Sequence, residues 1–128
     1  MEYGVVFELF AQRHYIKNFA KKYKGAWTAT ESYLRLEFTK IDLLFLKSIA
    51  ETISDFEEIK LCKTEFKIAG TEVSRHGSGN RCIVAIHKDE MMVHVLLVYG
   101  KTDVRGPRET DWWQGMIRDN YPQYKELL

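Results

Sequence analysis

The stretch from Asn80 to Asp103, NRCIVAIHKDEMMVHVLLVYGKTD, constrains the fold more than any other part of the chain. Two strand-like apolar runs flank HKDE, which is the pattern of a β-hairpin. Both faces of that hairpin are largely apolar, so composition alone does not choose which one meets the core. Three polar side chains stand near the outer ends of the runs: Arg81, Tyr99 and Lys101. An arginine in such a run is costly to bury unpaired. It needs a partner or a task.

The 128 residues fit one domain, residues 1–128. A chain of this size buries roughly two-thirds of its unfolded surface, so one core holds it without staples. Residues 2–10 are rich in Val and Phe and read as a strand. In QRHYIKNFAKKYKG, Tyr15, Ile16, Phe19, Ala20 and Tyr23 recur at helical spacing, and Gly25 stands where a C-terminal cap belongs. Thr28-Ala-Thr-Glu31 has the form of a capping box. From Leu34 to Phe56 apolar residues recur at threes and fours, which predicts one long helix, or two with a break near Thr39 or Ser48. EEIKLCKTEFKIAG predicts a strand, Gly77–Asn80 a turn, and then the hairpin follows. Gly106-Pro107 opens a last helix carrying Trp112 and Trp113, which ends or breaks near Asn120 and Pro122. The predicted order is β-α-α-β-β-β-α. That is an α+β domain, an antiparallel β-meander packed on two or three helices.

Composition excludes some classes. With 45% apolar and 29% charged residues the chain has a soluble globular profile. No apolar run approaches the ~18 residues of a membrane span, and MEYGVVFELF lacks the pattern of a signal peptide. Cys62 and Cys82 sit in apolar runs without CxxC spacing and read as reduced core thiols. A cytoplasmic protein is expected. His14, His76, His87 and His94 are scattered, and no P-loop, GxGxxG or GxSxG is present, so neither metal nor cofactor is expected. His94, inside a strand, reads as a structural histidine.

The net charge of +1 hides a polarised distribution. Arg13, Lys17, Lys21, Lys22 and Lys24 crowd the first helix without an acid. Between Asp42 and Glu58, acids outnumber Lys47. Such polarity fits one anionic partner and a different second surface, or simply two solvated helix faces. On the predicted strands, Lys63, Glu65 and Lys67 share one parity and hence one face. Arg81 starts the next strand, and Tyr99 and Lys101 end the last; Arg75 and His76 stand in the preceding loop as phosphate contacts. Lys, Arg, Tyr and Lys suit a phosphodiester: arginine braces two phosphate oxygens and lysine adds a point charge. RNA carries its own nucleophile, the 2′-OH, so orientation, charge stabilisation and a proton acceptor suffice.

Asn80-Arg81-Cys-Ile-Val-Ala-Ile and Val98-Tyr99-Gly100-Lys101-Thr102-Asp103 resemble the arginine-bearing strand and the "VYxKxD/E" ending of the RelE/ParE superfamily of toxin–antitoxin toxins, in its RelE- and HigB-like branch. The likeness extends to the opening strand, the Lys-rich FAKKYK helix and the meander. It implies a RelE-like fold and an endoribonuclease, in many members acting on mRNA in the ribosomal A site and neutralised by a co-expressed antitoxin. Carried over by position, Arg81 would stabilise the transition state, Tyr99 would orient nucleotide or proton, and Lys101 would be the terminal basic residue. Lys67 is a looser match, and Thr102 stands where some members carry Arg or His. Glu65 and Lys101 are the two candidates for general base. Lys63, Arg75, His76, Lys21 and Lys22 would bind RNA. The alternatives are a ParE-like toxin that inhibits a topoisomerase by contact, and a non-catalytic nucleic-acid-binding module. In structural terms, Arg81 could instead be an edge arginine paired with Glu65, Tyr99 a core-rim tyrosine, and the lysines solvated edge residues. The functional reading selects a register in which Lys88-Asp-Glu90 forms a three-residue loop, His87 pairs with Met91 and Arg81 lies opposite Leu97. Arg81, Tyr99 and Lys101 would then share an open face, with Val84, Ile86, Leu96, Val98 and His94 packed on the helices.

Overall fold

The computed structural model describes residues 2–128 as an α+β fold on a five-stranded mixed sheet. The strands are β1 (Gly4–Phe7), β2 (Ala50–Asp55), β3 (Ile59–Phe66), β4 (Asn80–His87) and β5 (Met92–Tyr99), in spatial order β1-β5-β4-β3-β2. β2 to β5 form an antiparallel meander, and β1 joins parallel to β5. A parallel partner needs a long return path. The helices supply it: α1 (Leu9–Ala11), a π-wound segment (Gln12–Ile16), α2 (Lys17–Tyr23), α3 (Gly25–Thr39) and α4 (Ile41–Leu46). No helix among the described residues is long and apolar enough to cross a membrane.

Because the β4–β5 hairpin is apolar on both faces, each face has its own cover. On one side Cys82, Val84, Ile86, Val95 and Val98 pack against Phe19, Trp27, Leu34 and Phe38 of the first helices. On the other, Ile83, Leu96, Leu97 and Tyr99 meet Trp113 and Ile117 of α6 (Glu109–Asn120), with Tyr121 and Tyr124 just beyond it. Tyr121 Oη donates to the Leu96 carbonyl at 2.7 Å, fixing the chain that follows α6 to the sheet. Both cysteines are free and buried, as expected.

The register differs from expectation at two places. The turn has four residues, Lys88 to Met91, closed by Met91 at φ 53°, and His87 pairs with Met92. By itself this would put Tyr99 on the opposite face from Arg81. A β-bulge then inserts Leu96 between the Val84–Val95 and Ile83–Leu97 pairs, and Arg81 lies directly opposite Tyr99. The extra residue restores the shared face. His94 lies on the turn side of the bulge, opposite Ala85, and so shares that face as well. His94 and Leu96 thus face away from Phe19, Trp27, Leu34 and Phe38, on the side where Phe10 and Tyr15 join the cover. The face is not open, since α6 covers it.

Other boundaries moved for local reasons. Ile49 and Ile53 were spaced for a helix, but a spacing of four also satisfies a strand. α4 stops at Leu46, Ser48 turns the chain at φ 57°, and β2 pairs with β3. The expected long helix is thus two helices and a strand, giving a fourth meander strand. The first strand ends at Phe7 rather than residue 10. Gly25 begins α3 instead of ending α2, because Lys24 at φ 51° makes the break. The predicted capping box therefore falls inside α3. Its Thr30 has another use: Oγ1 donates to the Ala26 carbonyl at 2.7 Å and accepts from the Ala69 amide at 2.8 Å.

That hydroxyl ties α3 to the loop after β3. Thr30 is 1% exposed, so Thr30→Val would leave the part-buried Ala69 N–H without its partner. The expected cost is about 1–3 kcal/mol. Thr39→Ala, which loses only a bond back to Arg35 at an exposed site, should be nearly neutral. Urea denaturation of the two variants checks the contrast.

Candidate functional site

Glu65, Arg81 and Tyr99 stand in one row across β3, β4 and β5, each opposite the next. Beside them the loop from β3 to β4 closes in the single turn of α5 (Arg75–Ser78). A one-turn helix leaves its last carbonyls without helical partners. Arg81, only 7% exposed, supplies them: its guanidinium donates to the carbonyls of Asn80 at 2.9 Å, His76 at 3.1 Å and Arg75 at 3.4 Å. The Glu65 carboxylate lies 3.6 Å away and balances the charge. Arg81 here is a positioning group. The pairing with Glu65 expected of an edge arginine is present, and the loop carbonyls extend it.

The loop has further pins. Ser74 Oγ accepts from the Gly77 amide at 2.9 Å; Ser78 Oγ accepts from the Asn80 amide at 3.0 Å and has its one hydrogen within reach of either the Phe66 or the Arg75 carbonyl. Arg75 grips both carboxylate oxygens of Glu37 and donates to Tyr33 Oη and the Glu65 carbonyl. The Glu37 hydrogen bonds hold its guanidinium pKa above the ordinary value. Its donors are engaged within the protein. From this pinned loop the His76 side chain projects: it is 86% exposed, with Nδ1 3.0 Å from Glu65 Oε2. With Nδ1–H donated to the carboxylate, Nε2 keeps its lone pair and faces water.

Lys101 sits just past β5 in a 3-10 turn (Lys101–Asp103). Its stem lies over Gly79, where a Cβ would meet Lys101 Cγ at 2.6 Å. Gly79 also has φ 75°, a second reason for glycine there. Lys101 and Lys22 line a recess with Asn18, Asn80 and Thr102, and Phe19 and Tyr23 share its wall. Asp103 is on its rim, but Oδ2 accepts from the Gly100 amide at 2.8 Å. Neither lysine has an ion-pair partner among the described residues. Two ammonium groups with amide and hydroxyl donors form a recess suited to an anion.

The remaining expected residues are dispersed. Lys21 is exposed on α2 but does not line the recess. Lys67 lies past β3 and donates to the Thr71 carbonyl at 3.2 Å. Lys63 is 3.9 Å from both Glu51 and Glu109. Tyr99 is sealed: it has no exposed surface, Trp112 packs edge-on against its ring, and Oη donates to Glu109 at 2.8 Å. Burial first, and Glu109 second, push its phenol pKa far up. It moves no proton near neutral pH. Trp112 and Trp113 are the helix anchors they were expected to be. Asn18, Asn80 and Glu109 were missed; only Gly100-x-x-Asp103 carried a local signal for its part of the recess. No family model matches the chain, and no curated protein or solved structure matches it.

The tyrosines on the α6 side make the fold sensitive to alkali. Burial raises the phenol pKa of Tyr99 and Tyr121, and that of Tyr124 to about 12. The unfolded phenols ionise near ~10. Above that pH the unfolded chain holds fewer protons than the folded one, so stability falls as pH rises. The urea midpoint is expected to drop steadily between about pH 10 and 12. Tyr124→Phe should make that drop shallower.

Proposed function

We propose that the chain is a RelE-like toxin that cleaves RNA without a metal, using His76 as general base. The carrying observation is the exposed imidazole held by Glu65 on a loop that Arg81 locks, while Ser78 of the same turn lines the recess with Lys22 and Lys101. The layout of opening strand, Lys-rich helix and meander supports the same assignment. In the proposed step, His76 Nε2 takes the proton of the 2′-OH. The 2′-oxygen bonds to phosphorus while the bond to the 5′-oxygen breaks, and the Lys101 ammonium gives that oxygen a proton. The products are a 2′,3′-cyclic phosphate and a 5′-hydroxyl. Lys22 and Lys101 offset the charge of the phosphate oxygens. Glu65 holds the imidazole in the required tautomer and steadies the imidazolium that forms.

This differs from the roles implied by the family resemblance. Glu65 becomes the orienter of a base, and Arg81 acts through the loop. The expected partners are mRNA on the ribosome and an acidic antitoxin drawn to the basic α2 surface. The sealed Tyr99 favours a second reading, a ParE-like toxin that acts by protein contact and needs no exposed tyrosine.

His76→Ala should lower cleavage of mRNA on purified ribosomes by about 10²–10⁴-fold, with the thermal midpoint unchanged because the side chain is exposed. Lys101→Ala should weaken RNA binding and cleavage together. Arg81→Ala should lower both activity and stability, since it frees the α5 carbonyls. Full cleavage and toxicity in His76→Ala would overturn the proposed base. Toxicity with intact mRNA and an inhibited topoisomerase would establish the second reading.

A further inference from the structure

A second cluster occupies the other end of the α6 face. At about 3.3 Å per residue along β4, His87 lies roughly 20 Å from Arg81. The turn brings His87, Glu90 and His94 together, with one ligand atom of each within 4.8 Å of the others. The two imidazole centroids are 4.4 Å apart. The histidines that looked scattered in sequence therefore include a close pair.

Each ring has one nitrogen already held. His94 Nδ1 is 2.8 Å from Glu8 Oε1, and His87 Nε2 is 2.8 Å from Tyr124 Oη. The Glu8 carboxylate only accepts, so His94 Nδ1 carries the proton and Nε2 the lone pair. That Nε2 is buried and has no hydrogen-bond partner among the described residues. Buried polar nitrogens are rarely left so. Donation of the outer nitrogen to a carboxylate or hydroxyl is how metal-bound histidines are oriented. Glu90 is exposed and able to swing, on a turn anchored by Lys88, which bonds to Asp55 and to the Phe56 and Glu58 carbonyls.

We propose that His87, Glu90 and His94 bind one divalent transition cation of the zinc class. Two imidazoles and one carboxylate match that class and leave a fourth position for water. A single carboxylate is too few oxygens for calcium. Bonds of about 2.1 Å require the three atoms to draw in to about 3.4 Å from one another, a contraction within reach of Glu90. The supporting groups come from distant parts of the chain, Glu8 after β1 and Tyr124 after α6. The ion clamps both ends of the chain onto the central hairpin. It is remote from His76 and takes no part in the proposed cleavage, so the two proposals fail independently.

The test uses the full-length protein, stripped with a chelator and titrated with Co²⁺, then with Zn²⁺ in competition. One ion per chain, a tetrahedral Co²⁺ absorption band and a raised thermal midpoint are expected. Glu90→Gln, at an exposed site, should fold as the parent does and bind at least tenfold more weakly. Glu8→Gln, which touches only the outer nitrogen of His94, should lose about 10–100-fold. His14→Ala should bind as the parent does. The proposal is overturned if no ion binds below about 1 mM, an affinity of only about 4 kcal/mol. It is equally overturned if binding survives both Glu90→Gln and His87→Ala, or is lost with His14→Ala.

Discussion

Water must be kept from both faces of the β4–β5 hairpin, and most of the molecule is arranged around that requirement. Every residue from Arg81 to Ile86 and from Val95 to Tyr99 is buried. A sheet whose centre is apolar on both sides needs two layers of cover, and the chain provides them from its two ends. The N-terminal half returns over one face as helices, and the C-terminal segment closes the other with Trp113, Ile117, Tyr121 and Tyr124, helped by Phe10 and Tyr15 from the first turns. A single helical layer would leave a row of large side chains in solvent.

Within this arrangement Arg81 is the one charged group sealed in the central strands. A lone buried cation is prohibitively costly, and replacing its hydration takes several well-placed acceptors. The carbonyls of Asn80, His76 and Arg75 provide them, with Glu65 close by. The same contacts make the β3–β4 loop rigid and present His76 outward. Burial of one residue and exposure of another are thus one design, and Glu65 joins them by facing both.

Much of this was legible in the residues. The hairpin announced itself through unbroken apolar runs, and the last helix through Gly106-Pro107 and its two tryptophans. The shared face of Arg81 and Tyr99 was inferred, but through the wrong register. A four-residue turn and the bulge at Leu96 each shift the pairing by one. No local pattern marks a bulge in a strand that is apolar on both faces, because either parity buries oil. For the same reason His94 was assigned to the wrong side. β2 escaped because Ile49 and Ile53 fit two periods at once. Lys101 was noticed, but not its seat over Gly79, which depends on pairing between strands and not on neighbours in sequence.

The parallel pairing of β1 with β5 has a consequence for the order in which the protein is made. Gly4 faces Met92, so the first strand to leave the ribosome has no place in the sheet until nearly three-quarters of the chain has followed it. β2 to β5 add one after another as each is synthesised, while β1 waits. Its closure spans well over half of the chain, the kind of long-range contact that slows folding.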